Sequence, residues 1–312
     1  MIHYVIRRML LAIPTLLLML TVIFVLVRLV PGDPAITILG DQASEDALQR
    51  LRAQLGLDQP IYVQYFDFVM RTLSGDFGRS MATGRTVLQE VAAVLPYTIE
   101  LTASALLIGA IIGVPLGTTA AIYRNLWPDY ASRLVSLIGL SFPAFVSGIL
   151  MLLAFAVNLR WFPVIGSGGS GLEAHLRALV LPALNLGLIM TAYITRVTRA
   201  SMLNVLNEDY IRTARAKGVR PNRLIRRHAL RNALIPVITV VGLYFGTLVG
   251  NSVLTEMVFS RPGLGKLILG ALNSRDYTLL QGLMVTFASF VILVNTVTDI
   301  AYGLVDPRVK YS

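Results

Sequence analysis

Few side chains in this sequence are of a type that does covalent chemistry. Its 312 residues include three histidines, His3, His175 and His228, and no cysteine. Disulfides, thiolate nucleophiles and cysteine metal sites are thereby removed. There is no HExxH pattern and no carboxylate pair in the middle of an apolar run, so neither a metal site nor an acid–base pair is expected. Gly263-Leu264-Gly265-Lys266 comes nearest to a phosphate-cradling loop, but the leading glycine is missing and Leu267 stands where a hydroxyl is needed. Ser167 lies between glycines, yet in a loop, and no span holds a histidine to activate it. An enzyme is a poor reading of these residues.

Ion-coupled carriers keep ionisable groups deep in the bilayer. Here Glu100 and Asp299 fall near the ends of apolar runs, within reach of water. Asn158, Asn185, Asn251 and Asn295 are polar but neutral, and each reads more readily as an interhelical hydrogen bonder than as the lining of a path. Nothing in the chain supplies energy for uphill transport. A self-sufficient secondary transporter or channel is the alternative that these residues leave open.

The densest cluster of charge is Glu208 to Thr239. It carries Arg212, Arg215, Lys217, Arg220, Arg223, Arg226, Arg227 and Arg231 against Glu208 and Asp209. Glu208 to Ala216 predicts a short helix with Asn207 as its cap and two acidic residues at its positive end. Gly218 stands where that helix stops and the chain must turn. Pro221 suits the first turn of a second helix, which places Leu224, Ile225, His228 and Ala229 on one face and the cations around the rest. An amphipathic helix on a rigid elbow suits a groove on a partner; a helix lying on anionic lipid is the other reading.

The elements that position this loop are apolar. The chain is 55% hydrophobic and only 14% charged, with a net charge of +10. Soluble domains carry about a quarter charged residues, and the apolar runs here are long enough to cross a bilayer. The class is therefore an all-α polytopic membrane protein, and the positive charge fits basic cytoplasmic loops better than nucleic-acid binding. Six spans are expected, near 9–30, 97–121, 133–157, 178–197, 233–256 and 280–303. The first follows Arg7 and Arg8 and reads as an uncleaved anchor, because no A-x-A site follows its long apolar core. The distribution of Lys and Arg puts both termini and the basic loop in the cytoplasm.

Three regions follow: an anchor at 1–30, an extracytoplasmic insertion at 31–96, and a five-helix core at 97–312 with the basic loop at 198–235. In the insertion Ser44 can cap a helix, Pro60 can start a second, and Thr86 with Gln89 can form a capping box for a third. The segment is either a small helical subdomain packed on the membrane part or a set of surface helices without a partner. Gly166 to Gly171, GSGGSG, reads as a flexible loop. Gly109, Gly113 and Gly117 form one row at four-residue spacing, and Gly242, Gly246 and Gly250 another. Such rows let helix backbones approach closely, within a chain or between subunits.

The basic loop resembles the cytoplasmic "EAA" loop of ABC importer permeases, with a pattern near E-A-A-x-x-x-G-x9-I-x-L-P. Arg212-Thr213-Ala214 takes the place of E-A-A, Gly218 that of the glycine, and His228-Ala229-Leu230-Arg231 that of I-x-L-P. The departures at Arg212, His228 and Arg231 are those of the peptide-type branch. PGDPA from Pro31, LGLDQP from Leu55, GDFGRS from Gly75, SFPAF from Ser141 and FSRPGLGKL from Phe259 extend the likeness over nearly the whole chain. The sequence is similar to the first permease subunit of dipeptide, oligopeptide, glutathione and nickel importers of the bacterial inner membrane.

The resemblance implies pairing with a second permease, two ABC ATPases and an extracytoplasmic substrate-binding protein. It places ATP and Mg in the partner ATPases, with no cofactor in this chain, and a substrate path between the two permeases. The docking residues it implies are Asp209, Tyr210, Ala214, Gly218, Pro221, Leu224, Ile225, Arg226, Arg227, His228 and Arg231. Leu224, Ile225 and His228 would enter the ATPase groove, and the arginines would meet its rim.

Overall fold

The computed structural model describes residues 2–29, 34–40, 43–54, 56–164 and 171–305. Pro31 to Asp33 of the PGDPA run, Leu55, Gly166 to Ser170 of the glycine-rich loop with Ser167, and Arg308 and Lys310 lie outside them. The described residues are almost entirely helical. The helices are α1 (Ile2–Leu29), α2 (Pro34–Leu39), α3 (Glu45–Gln54), α4 (Ile61–Leu73), α5 (Val87–Ile122), α6 (Trp127–Ser141), α7 (Ala144–Met151), α8 (Leu172–Leu206), α9 (Asp209–Ala216), α10 (Pro221–Arg223), α11 (Leu230–Val258), α12 (Leu264–Asn273) and α13 (Tyr277–Val305). π-Helical turns extend α7 over Leu152–Asn158 and join α10 to α11 over Leu224–Ala229.

Among the described residues, 5 helices are long and apolar enough to cross a membrane, or up to 6 if the bent pair α6–α7 counts as one span. That pair departs from the continuous span expected at 133–157. The chain bends by 101° between the two helices. Phe142 there is extended, with φ −96° and ψ 130°. Pro143 has no N–H and disfavours helical backbone in the residue before it, so α6 stops and α7 starts afresh. The third insertion helix and the second span also differ from expectation, because they form one helix, α5. Its start is the capping box foreseen at Thr86 and Gln89: the Gln89 N–H donates to Thr86 Oγ1 at 3.3 Å, and the Thr86 N–H donates to Gln89 Oε1 at 3.1 Å.

The chain forms two compact units. The first comprises Met1–Val5, Tyr97–Pro262 and Val294–Ser312. Helix α8 is its axis: 72% of the most apolar stretch of α8 is buried, against 33% for α5. Small residues on α8, among them Ala183, Gly187, Thr191 and Thr195, let neighbours approach its backbone. Leu101 and Ala105 of α5, Leu186, Met190 and Ile194 of α8, and Val237 and Leu248 of α11 make its main core. Asn185 fills the interhelical role expected of it. It donates to the Ala144 carbonyl at 2.8 Å and accepts from Ser147 at 2.7 Å, which holds α7 on α8.

The second unit comprises Ile6–Pro96 and Gly263–Leu293. Within it α4 of the insertion packs on α1. Tyr65 of α4 lies edge-on to Phe24 of α1, its hydroxyl 2.7 Å from Thr21. Asp76 and Asp276 explain the GDFGRS run. Asp76 accepts from the Gly78 N–H at 3.0 Å. Asp276 is buried, accepts from the Ser80 hydroxyl at 2.7 Å and from the Ala82 N–H at 3.1 Å, and caps α13 through the Leu279 N–H.

Candidate functional site: the basic elbow and its anchors

The elbow is built from local rules. Helix α9 ends in a Schellman closure: the Val219 N–H donates to the Ala214 carbonyl at 3.2 Å, and the Gly218 N–H to the Arg215 carbonyl at 3.0 Å. Gly218 supplies the left-handed backbone that this closure needs, with φ +75°. A Cβ at Gly218 would meet nothing within 4 Å. The constraint is therefore conformational, not spatial. Arg220 is extended, and Pro221 opens the next helix at its first position. The cap of α9 differs from expectation. Glu208 occupies that position, while the Asn207 side chain turns back to the Leu203 carbonyl at 3.0 Å and so belongs to the end of α8.

The second limb is not plain α-helix. From Leu224 to Ala229 it is π-helical, a form found mostly in short pieces and often at functional sites. The wider turn brings residues five apart to the same side, and Leu224 and Ala229 are both buried. They pack with Ile211 of α9, Met202 of α8, Ala121 of α5 and Ala233 of α11, with Ala214 and Ile225 at the margin. Leu224 was expected to enter a partner's groove. At 4% exposure it is instead part of the elbow's own core. Ile225 and His228 are half-buried on the flank of this core.

The outward surface is the cationic one. Arg212, Arg215, Lys217, Arg220, Pro221, Arg223, Arg226, Arg227 and Arg231 are exposed, as are Asp209 and Tyr210. Asp209 lies 3.6 Å from Arg212, both side chains more than two-thirds exposed. A pair so open to water contributes little. The Tyr210 hydroxyl accepts from Asn232 at 2.7 Å, tying α9 to the foot of α11.

Two further contacts fix the roots of the elbow, and sequence reasoning missed both. Ser201 of α8 donates to the Ala233 carbonyl of α11 at 2.9 Å. Asp129 of α6, fully buried, is gripped by two arginines. Arg199 of α8 reaches it at 2.6 and 2.8 Å, Arg133 at 3.0 and 2.7 Å, and the Asn125 N–H at 2.9 Å. Two forked arginine pairs on one carboxylate set orientation as well as charge balance. The i,i+4 spacing of Asp129 and Arg133 was a signal in the sequence; Arg199, seventy positions from Asp129, gave none. At the opposite end of the same unit, Glu100 accepts from Arg261 at 2.5 Å and lies 2.7 Å from His175 Nε2. Glu256 is fully buried there and accepts from Thr98 at 2.7 Å.

Tyr210–Asn232 and the Ile211–Leu224 core tie α9 and the π-helical limb to α8 and α11. The Asp129 clamp ties α8 in turn to α6.

Comparison with known proteins identifies the family. The family described as "Binding-protein-dependent transport system inner membrane component" matches residues 113–311, and the N-terminal part of such membrane components matches residues 1–102. The chain belongs to this family: it is a multi-pass permease subunit of an ABC importer. It is 41% identical to the "Glutathione transport system permease protein GsiC" of Salmonella choleraesuis (strain SC-B67), over 311 residues and 100% of both chains. It is 42% identical to the protein of that name from Escherichia coli (strain K12), again over 100% of both. Among solved structures, a chain of the MetNI methionine ABC transporter in an inward-facing conformation matches with TM-score 0.58 and 20% identity, covering 70% of this chain and 97% of that one. That likeness concerns the fold.

Proposed function

We propose that this permease forms half of the path of an inner-membrane importer for glutathione or similar short peptides, and that the basic elbow is where an ABC ATPase docks. The relatives named for glutathione transport support the substrate class, because identity at 41% extends over 100% of both chains. The observation that carries the docking reading is the elbow itself: a stiff, self-packed joint with an outward surface of exposed arginines, rooted in two membrane helices. A second permease, two ATPases and an extracytoplasmic binding protein complete the importer. ATP and Mg are bound by the ATPases, and both termini of this chain lie in the cytoplasm with the elbow. The groove-facing residues are then Arg223, Arg226, Arg227 and Arg231, with Tyr210 and Pro221 beside them. Leu224 holds the limb from beneath.

Reversing charge on that surface, as Arg223→Glu/Arg226→Glu/Arg227→Glu, tests the reading. The chain inserts normally, but co-purification of the ATPase falls and binding-protein-dependent glutathione uptake into proteoliposomes is lost. Gly218→Asp, which adds an acid to the joint, uncouples ATP hydrolysis from uptake. Normal uptake by the triple variant, or uptake by the chain alone without an ATPase, overturns the proposal.

A further inference from the structure

A half-open cavity of about 640 Å³ lies beside the Asp129 clamp, lined by parts of α6, α8 and the turn that joins α5 to α6. Four arginines line it, Arg124, Arg133, Arg196 and Arg199. Asp129 beneath them is fully buried, and both its oxygens are already engaged by Arg133, Arg199 and the Asn125 N–H. Three positive charges are left over. Among the described residues Arg124 and Arg196 make no ion pair, and the Arg196 guanidinium lies 6.0 Å from the ring of Tyr193. Ser136 lines the same cavity at 7% exposure.

Leu137 and Leu140 line the cavity as well. On the same helix Trp127 is 78% exposed and Tyr130 58%. Such side chains settle at the headgroup level of a bilayer. Guanidinium forks match phosphate oxygens, and basic pockets between membrane helices bind anionic headgroups.

We infer that this cavity is a binding site for the phosphate of an anionic phospholipid, held by Arg124 and Arg196 with Ser136 beneath and the acyl chains along Leu137 and Leu140. Bound there, the lipid would brace the clamp that ties α6 to α8. The inference does not depend on the docking reading or on the substrate.

The test uses the assembled importer in nanodiscs of phosphatidylcholine, with and without phosphatidylglycerol. The wild type melts at higher temperature with phosphatidylglycerol and retains it through detergent extraction, as native mass spectrometry reads. Arg124→Gln/Arg196→Gln spares the Asp129 clamp and weakens that retention roughly thirtyfold. Arg50→Gln/Arg177→Gln, which removes the same charge elsewhere, leaves retention unchanged. Equal behaviour of the wild type in the two nanodiscs overturns the inference without calling on any variant. Equal retention by the Arg124/Arg196 variant also overturns it. If inorganic phosphate in the phosphatidylcholine nanodisc stabilises the complex as well as the lipid does, the site takes a free anion and the lipid assignment fails.

Discussion

Gly109, Gly113 and Gly117 repeat every four residues along α5, and Gly242, Gly246 and Gly250 repeat in the same way along α11. Their surroundings differ. A Cβ at Gly109 would fall 2.6 Å from Met190 Cβ, one at Gly113 2.9 Å from Ile194, and one at Gly117 2.5 Å from the Thr195 carbonyl oxygen and 3.0 Å from the Arg199 nitrogen. Met190, Ile194 and Thr198 are themselves four apart, so the first row lies along one continuous seam with α8. In the second row, Gly242 faces the side chain of Thr298 and Gly246 the carboxamide of Asn295, while Gly250 meets nothing within 4 Å. Spacing gives the face of a helix. It does not tell whether the neighbour on that face is rigid backbone, a rotatable side chain, or absent.

The largest effect is therefore expected at Gly117. An alanine there must displace the backbone of α8, where Thr195 and Arg199 sit and where the Asp129 clamp is made. Overpacking of this kind costs about 1–3 kcal/mol. Gly117→Ala should lower the melting temperature of the purified chain and the yield of folded protein. A Thr198→Ala second change should not rescue it, because the backbone atoms remain. Full stability of the single variant would mean that the α5–α8 seam is looser than its geometry indicates.

Gly246→Ala is the intermediate case. Its Cβ would lie 2.7 Å from Asn295 Oδ1, the far end of a side chain that can rotate. The expected cost is below about 1 kcal/mol, and Asn295→Ala should abolish it in a double-mutant cycle. If Gly246→Ala were as costly as Gly117→Ala, or if Asn295→Ala left it unrelieved, the contrast between the rows would fail.

The same contrast governs what could be read in advance. Devices closed within a few residues were legible: the Thr86–Gln89 box, the Gly218 turn, Pro221 at a helix start. Each is a local backbone rule. Leu224 was legible as part of an apolar face but not in the direction of that face, because Ile211, Met202 and Ala121, which cover it, come from other elements. Asp129 was missed for the same reason, since its second arginine lies on α8. The break at Pro143 was readable from proline chemistry alone. The apolar run on both sides of it concealed the break, because hydropathy is blind to a change of direction.

The smallest effect on the chain itself belongs to Gly250. With no atom near a Cβ and α-helical backbone on both sides, Gly250→Ala should leave the melting temperature of the isolated chain unchanged or raise it slightly, since glycine inside a helix costs about 0.5–1 kcal/mol relative to alanine. Yet Gly250 lies beside Thr247, Asn251 and Leu254, all exposed on the same side of α11. An asparagine facing lipid is unfavourable, so this face should meet water or protein in the assembled importer. A bulky Gly250→Leu change distinguishes the two settings. It should be silent in the isolated chain and should reduce either recovery of the second permease or binding-protein-dependent uptake in the complex. Silence in both settings would leave this face to lipid and give the last glycine of the second row no packing role. A loss of stability in the isolated chain would show that Gly250 has a neighbour within it, and the two rows would then be alike.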